Sequence, residues 1–275
     1  MPYSLPGRNV LVIGGSRGIG AIIAKKFAAE GSNVAINYMS SKETAEKVAG
    51  DLAGKYNVKT VVIQGDAGKQ SEATNTVKSA IEQLGGLDVV ISNAGWTKMT
   101  NFGDLDAMDD DDWDKCWNIN VKSSFYLFKA AKPTFDANPE GGAFIITAST
   151  AGIVPSGSSV PYAVTKAAVI HLMKCLAQTQ GPKVRVNAVC PGLMLTEWVC
   201  ILVFEDSRIT FLTISQGQQF TQEKIKAMTD KMTLNKLPEV EDAAEMYLSI
   251  AKNSSMTGAA VQIGMNPDIL KLGCG

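Results

Sequence analysis

Short apolar runs rich in β-branched residues alternate with amphipathic helical stretches along almost the whole chain. Most of the runs are continuously apolar, which is typical of strands in a parallel sheet that helices cover on both faces. The predicted strands are Asn9–Ile13, Asn33–Tyr38, Val58–Gln64, Leu87–Ser92, Gly142–Ser149, Val184–Cys190 and Ala259–Ile263. The predicted helices are Gly18–Glu30, Lys42–Lys55, Ser71–Leu84, Trp113–Lys132, Pro161–Gln180 and Val240–Ala251. With right-handed crossovers, these units predict an α/β fold: a doubly wound parallel sheet in three layers, α/β/α, and a single domain over residues 1–275.

The composition excludes several classes of protein. Lys plus Arg number 26 and Asp plus Glu 27, giving a net charge of −1, so no basic face for a nucleic-acid partner is expected. No apolar run reaches the roughly 18 residues of a membrane span, and no membrane partner is expected. The five cysteines are scattered without a CxxC pair, which predicts no metal site and a cytoplasmic location. The acidic run Asp104–Asp114 is interpreted as a solvated helix start rather than a metal site.

A glycine-rich turn follows the first predicted strand directly. The segment GGSRGIG spans Gly14–Gly20 and opens the next helix. Glycines permit a tight turn and let the backbone approach a pyrophosphate, whose charge lies at the helix N-terminus. In this position the segment predicts a Rossmann-type dinucleotide site, in preference to a merely structural turn.

The end of the second predicted strand indicates which dinucleotide binds. An NAD-dependent enzyme commonly carries Asp or Glu there to hold both ribose hydroxyls, whereas Asn37–Ser41 contains no carboxylate. Arg17, in the glycine turn, offers a cation for a 2′-phosphate. Both observations predict NADP(H) as the cofactor.

Tyr162 and Lys166 lie one helical turn apart on one face of a predicted helix, and Ser149 ends the strand before it. A free tyrosine has a pKa of about 10 and is a poor base near neutral pH. Lowering that pKa to about 7 requires about 4 kcal/mol, which an ammonium about 4.5 Å away supplies at an effective dielectric of about 20. The trio therefore predicts carbonyl reduction, with Tyr162 exchanging the proton and Ser149 holding the oxygen. His171, the only histidine, is expected to be structural.

Together these motifs resemble the short-chain dehydrogenase/reductase family. GGSRGIG, the Ser-Asn-Ala-Gly at 92–95, Asn120, Ser149, YAVTK at 162–166 and Pro191-Gly192 occur in the order and spacing of that family. The resemblance covers Arg8–Thr196 and resumes from Gly217 to Ile263. It is similar to NADPH-dependent members such as 3-oxoacyl-carrier-protein reductases and fungal polyketide or hydroxynaphthalene reductases. Ile13 replaces the usual Thr and Ser92 a frequent Asn, which implies altered local hydrogen bonding.

The resemblance implies a role for each matching residue. Tyr162 would be the general acid and base, Lys166 would lower its pKa and bind the ribose, Ser149 would orient the substrate, and Asn120 would support a proton-relay water. Asp66 and Ala67 would hold the adenine, Asn93, Ala94 and Gly95 would line the cleft, and Met194 and Thr196 would contact the nicotinamide end. The further implied cofactor contacts are Gly14, Ser16, Arg17, Ile19, Tyr38, Ser40, Tyr162 and Lys166. The helices Trp113–Lys132 and Pro161–Gln180 dimerise in the family, which implies a homodimer or homotetramer.

The predicted substrate lid, residues 196–238, contains an atypical apolar insert, Val199–Gln216. Without it, Trp198 joins Gly217 and leaves a family-like lid and a chain of ordinary family length. Codons for three parts of the insert can contain the splice signals of an intron in the right order. The donor sequence fits Val199-Cys200, the branch-point sequence fits Leu212-Thr213, and the acceptor sequence fits Gln216. Our hypothesis is a translated intron; the alternative is a true lid insertion.

The sequence favours an NADP(H)-dependent oxidoreductase that interconverts a small carbonyl compound and its alcohol. The alternative is a catalytically weak or inactive regulatory protein that binds NADP(H), favoured only by the interrupted lid. The full set of Asn120, Ser149, Tyr162 and Lys166 disfavours it, because a binding protein has no use for proton transfer. Apolar loop residues do not identify the substrate.

Overall fold

A computed structural model describes residues 3–194, 201–205, 208–212, 226–227, 229–230 and 232–264. Its centre is a seven-stranded parallel sheet in the order β3-β2-β1-β4-β5-β6-β9. The strands of this sheet are β1 (Asn9–Val12), β2 (Asn33–Tyr38), β3 (Thr60–Gln64), β4 (Val89–Ser92), β5 (Gly142–Thr147), β6 (Val184–Pro191) and β9 (Ala260–Ile263). The predicted doubly wound sheet is confirmed.

Helices cover both faces of the sheet and form the two outer layers. The helices are α1 (Gly18–Ala29), α2 (Lys42–Tyr56), α3 (Gln70–Leu84), α4 (Asp110–Trp117), α5 (Ser123–Ala137), α6 (Val160–Thr179) and α7 (Val240–Lys252). One buried cluster packs α1, α2 and α7 on the sheet, and a second packs α3, α5 and α6 on the opposite face. Alternate residues of β5 enter opposite clusters, because successive side chains of a strand point to opposite faces.

The predicted helix Trp113–Lys132 is wrong in its detail. It consists of α4, a π-helical turn over Asn118–Lys122, and α5. Its start lies in the acidic run, where the side chain of Asp109 accepts a hydrogen bond of 2.8 Å from the backbone N–H of Asp112. This N-terminal cap agrees with the interpretation of the run as a helix start. Among the described residues no cluster of three metal-ligating side chains occurs.

The Val199–Gln216 insert contains two strands, β7 (Ile201–Glu205) and β8 (Arg208–Leu212). They pair with each other in an antiparallel hairpin that is separate from the seven-stranded sheet. β-branched and aromatic residues, which these two segments contain, are typical of strands.

One described helix, α6, has the length and hydropathy that a membrane span requires. Its buried residues include Val169, Ile170 and Met173, which pack in the cluster formed with α3 and α5. This packing is that of the core helix of a folded domain.

Candidate active site

The predicted site residues meet at the carboxyl ends of β1, β4 and β5. The register pairs Val12 with Ile91 and Ser92 with Ile146, so the segments that follow these strands lie side by side. They carry the glycine turn, Asn93–Gly95 and Ser149. The chain winds outward in opposite directions from β1 and β4, and this switch point is where doubly wound sheets bind ligands.

The glycine turn is shaped for a ligand that approaches the backbone. Gly14 and Gly18 have φ values of 65° and 55°, in the left-handed region that favours glycine. A Cβ atom on Gly20 would collide with the carbonyl oxygen of Gly14. The helix α1 starts here, and the side chain of its N-cap residue, Arg17, does not cap it. Its first N–H groups therefore remain available to an anion.

The residues predicted around the adenosine ribose lie beside this turn. Arg17 and Ser40 are exposed, whereas Ser16 and Tyr38 are buried. Among the described residues, no ion pair engages Arg17, so its guanidinium can meet an anion from solvent.

Asn37 is a structural link that the sequence analysis missed. Its Oδ1 accepts a hydrogen bond of 3.3 Å from the N–H of Gly14, and its Nδ2 donates to the carbonyls of Ile63 and Gly65 at 3.2 and 3.1 Å. One buried amide thereby joins the ends of β1, β2 and β3. A polar residue within an otherwise apolar strand was the available signal.

Asp66 is held in a turn directly after β3. Its Oδ1 accepts from the N–H of Gly68 at 2.9 Å, and its own N–H donates to Glu72 Oε2 at 2.8 Å. The following residue, Ala67, is 7% exposed. Because these bonds fix the turn, the backbone of Asp66 and Ala67 has a defined orientation at the carboxyl edge of the sheet. The adenine contact implied for the two residues remains a prediction.

Ser149 lies just beyond β5, two residues past the strand end that the structure shows. Its Oγ accepts a hydrogen bond of 3.2 Å from the N–H of Ala151 and donates one of 3.4 Å to the carbonyl of Pro191. It is also hydrogen-bonded to the side chain of Tyr162. The long bond to Pro191 is weak enough for the hydroxyl to be redirected to another acceptor.

Tyr162 and Lys166 are adjacent and buried in α6. The Nζ atom of Lys166 lies 5.5 Å from the ring centroid of Tyr162 and donates a hydrogen bond of 2.8 Å to the carbonyl oxygen of Thr147. A Cβ atom on Gly95 would lie 3.7 Å from the same Nζ. Lys166 therefore faces the crevice at the point where the Asn93–Gly95 segment passes.

The expected lowering of the Tyr162 pKa is wrong for the chain alone. Burial raises the pKa of Tyr162 to about 12, opposed by its hydrogen bond to Ser149. Burial likewise lowers the pKa of Lys166 to about 8, opposed by the nearby thiols of Cys116 and Cys190. Desolvation disfavours both charged forms and is the largest effect on each pKa. The phenol is therefore protonated near neutral pH, which is the form that can donate a proton.

Both polar atoms of the Asn120 side chain form hydrogen bonds with neighbouring residues. Its Oδ1 accepts from the N–H of Trp96 at 2.8 Å, and its Nδ2 lies 2.9 Å from the carbonyl of Trp96 and 3.0 Å from Thr165 Oγ1. Thr165 in turn donates to the carbonyl of Tyr162 at 2.9 Å. The amide thus joins the loop after β4 to the helix that carries Tyr162. Its implied role with a relay water remains a prediction.

The sequence did not identify three residues that Asn120 contacts: Trp96, Thr165 and Cys116, whose Sγ lies 3.1 Å from Asn120 Nδ2. Cys116 is buried with Ala151 and Tyr162, and Trp96 packs against that cluster. Their residue types carry no signal for a site, and only the fold brings them together. Of the predicted nicotinamide-side contacts, Met194 is half-buried after β6, and Thr196 lies outside the described residues.

The sequence pattern of the short chain dehydrogenase family matches residues 8–200. The chain belongs to that family. In this short-chain dehydrogenase, Ser92 Oγ lies 2.9 Å from Ser124 Oγ, so the position that often holds Asn is used to link β4 to α5. Ile13 is fully buried in the core.

Related short-chain dehydrogenases match over nearly the whole chain. Sorbose reductase of Schizosaccharomyces pombe is 33% identical over 262 residues, covering 94% of this chain and 95% of its own. Versicolorin reductase of Emericella nidulans is 31% identical over 261 residues, 92% of each chain. The structure of a short-chain dehydrogenase from Burkholderia cenocepacia in complex with NADP has a TM-score of 0.79 and 29% identity, covering 95% of this chain and 98% of its own.

Proposed function

We propose that this protein is an NADP(H)-dependent oxidoreductase that reduces a carbonyl compound to its alcohol. The observation that carries the proposal is the contact between the hydroxyls of Ser149 and Tyr162, with Lys166 alongside, at the carboxyl edge of the sheet. A proton donor, an oxygen-holding group and a cation share the crevice that the glycine turn enters. The names of the relatives, two of them reductases, support the same reaction class.

The residues present fit a dinucleotide with a 2′-phosphate. The uncapped start of α1 offers backbone N–H groups to a pyrophosphate. The lack of a Cβ on Gly20 lets this helix start pack closely on the Gly14 carbonyl. Arg17 is exposed beside it. The end of β2 carries no carboxylate, which would repel a phosphate. The NADP-bound relative from Burkholderia cenocepacia supports this choice of cofactor.

The chain's own groups can carry out the proton transfer. Ser149 turns its hydroxyl from Pro191 to the carbonyl oxygen of the substrate and holds it beside Tyr162. The chemistry supplied by a bound reduced dinucleotide is the hydride itself. As negative charge develops on the substrate oxygen, the O–H of Tyr162 gives its proton to that oxygen, and the ammonium of Lys166 stabilises the phenolate left behind. Because burial keeps Tyr162 protonated, the protein without cofactor holds the proton that reduction requires.

The proposal includes a homodimer through the outer face of α4, α5 and α6. Trp117, Phe125 and Val164 on these helices are 37%, 44% and 42% exposed, and exposed apolar patches commonly mark protein interfaces. Sedimentation equilibrium tests it. A dimer that Phe125→Asp converts to a monomer supports the interface, and a wild-type monomer refutes it.

A cytoplasmic location is also proposed, because the described cysteines Cys116, Cys175 and Cys190 are all unpaired. Imaging of a fluorescent fusion in the native host checks it. Fluorescence confined to an organelle would contradict it.

We also propose that Val199–Gln216 is a translated intron rather than a functional part of the lid. The separate pairing of β7 with β8 is consistent with a segment added to a domain that is complete without it. Messenger RNA reads across residues 198–217 test the proposal. Mature messages that always include the segment would refute it, and the lid insertion would then stand.

The experiment for the function itself compares the full chain with a variant lacking Val199–Gln216. NADPH consumption is followed by absorbance over a panel of aliphatic, cyclic and aromatic ketones. Turnover of at least one ketone by either protein supports the proposal. NADPH binding without turnover in both would favour the regulatory alternative, and no binding in either would refute both.

A further inference from the structure

Tyr247 is a fully buried tyrosine of α7 whose hydroxyl lies 2.7 Å from Thr147 Oγ1. Helix α7 packs on the sheet face covered by α1 and α2, whereas Lys166 comes from α6 on the opposite face. Thr147, the last residue of β5, is therefore contacted from both faces: its hydroxyl by Tyr247 and its carbonyl oxygen by Lys166 Nζ at 2.8 Å.

The direction of these hydrogen bonds is fixed by proton counting. The hydroxyl of Thr147 donates to Asn93 Oδ1 at 3.1 Å, and a hydroxyl has a single proton to give. Tyr247 must then be the donor to Thr147. The series continues from Asn93 Nδ2, which donates to the carbonyl of Gly14 at 3.3 Å. A directed series thus runs from Tyr247 through Thr147 and Asn93 to the glycine turn.

If Tyr247 were purely structural, any hydrogen-bond acceptor would serve its hydroxyl, and a phenylalanine would fill the same apolar space in the core. The acceptor here is the residue that anchors Lys166, and the series ends on the carbonyl that Gly20 must clear. If the hydroxyl of Tyr247 is removed, Thr147 Oγ1 keeps its proton but loses the donor that orients it. The Thr147 hydroxyl can then rotate away from Asn93, so Asn93 loses a fixed neighbour beside the glycine turn. The residue whose backbone carbonyl binds Lys166 is also less firmly held.

We propose that Tyr247 is a positioning residue for the reaction. It orients the Thr147 hydroxyl, which holds Asn93 against the glycine turn, and it fixes the side chain of the residue whose backbone carbonyl binds Lys166. The inference rests on the proposed function, since it concerns the crevice assigned to the dinucleotide. It assigns Tyr247 no contact with substrate. Its loss is therefore expected to weaken cofactor binding and turnover while leaving the apparent affinity for the ketone unchanged.

The test compares Tyr247→Phe with Tyr3→Phe in the full-length protein. Tyr3 is a matched control because it is also buried, and its hydroxyl bonds to Asp88 at 3.4 Å at the amino edge of the sheet. We expect Tyr247→Phe to raise the NADPH dissociation constant, measured by fluorescence titration, about fivefold, the size of one net hydrogen bond. It should lower kcat by a similar factor and leave the KM for the ketone within about twofold. Tyr3→Phe should change none of the three.

A double-mutant cycle makes the test independent of stability. Thr147→Val removes this hydrogen bond from the other partner, together with the one to Asn93. The double variant should therefore bind NADPH no more weakly than Thr147→Val alone. If Tyr247→Phe does not fold, Thr147→Val alone decides by the same measurements. Wild-type NADPH affinity in Tyr247→Phe, or additive effects in the cycle, would overturn the inference. A wild-type protein that neither binds NADPH nor reduces a ketone would instead overturn the proposed function.

Discussion

Replacing Lys166 with methionine removes the cation and keeps the length of the side chain. The Nζ atom lies 5.5 Å from the ring centroid of Tyr162, and this distance sets the scale of the interaction with a phenolate. At an effective dielectric of about 20, a unit charge at this distance stabilises the phenolate by about 3 kcal/mol. This energy corresponds to about two units of the Tyr162 pKa and about a hundredfold in the fraction of phenolate.

The assay is alcohol oxidation at saturating NADP⁺, with kcat followed from about pH 6 to about pH 10. The pKa of about 12 is that of Tyr162 in the protein without cofactor, and the positive charge of bound NADP⁺ favours the phenolate that oxidation requires. The rise of kcat with pH should therefore fall within this pH range for wild type and move to higher pH by about two units in Lys166→Met. The matched control is Lys174→Met, an exposed lysine of the same helix, which should leave the profile unchanged. A profile of unchanged shape in Lys166→Met, with only the NADP⁺ affinity reduced, would refute the electrostatic role of the ammonium.

Three further results are expected. Arg17→Ala should raise the dissociation constant of NADPH about tenfold to a hundredfold, because it removes a charge-assisted contact to the 2′-phosphate. NADH binding should be unchanged. Equal losses of affinity in titrations with NADPH and with NADH would contradict the phosphate contact. Gly20→Ala should lower the free energy of unfolding by about 1 to 3 kcal/mol in urea titrations, because its Cβ meets the Gly14 carbonyl. The control is Gly50→Ala, which lies in open space within α2 and should be neutral or stabilising. A Gly20→Ala protein as stable as wild type would rule out the close approach. Burial lowers the pKa of Lys166 from 10.5 to about 8, so between those pH values the unfolded chain binds more protons than the folded one and stability should rise with pH. From about pH 7 to about pH 10, the free energy of unfolding of wild type should increase by about 2 to 3 kcal/mol relative to that of Lys166→Met. A constant difference between the two proteins would contradict the burial of a charged amine.

The sheet and the order of its elements were predictable because they depend on local patterns. A continuously apolar run such as Val34–Ile36 is buried on both faces, and the Tyr162–Lys166 spacing fixes one helical face whatever the rest of the chain does. The glycine turn is equally local.

The remaining features depend on contacts between residues that are distant in sequence. Asn120 meets Trp96 and Thr165 from 24 and 45 positions away, and the π-helical turn that carries it has no periodic signature. The direction of the Tyr162 pKa shift in the chain alone was mispredicted because spacing reveals the neighbouring charge but not the depth of burial. Desolvation is a property of the packed domain and is the larger effect here.

The most direct measurement is made on Tyr162→Phe, with NADPH affinity and ketone reduction determined on the same preparation. The variant should bind NADPH with nearly wild-type affinity and lose turnover by a factor of about a hundred to ten thousand, the range for removal of a general acid. Turnover within about twofold of wild type at saturating NADPH would show that another group delivers the proton.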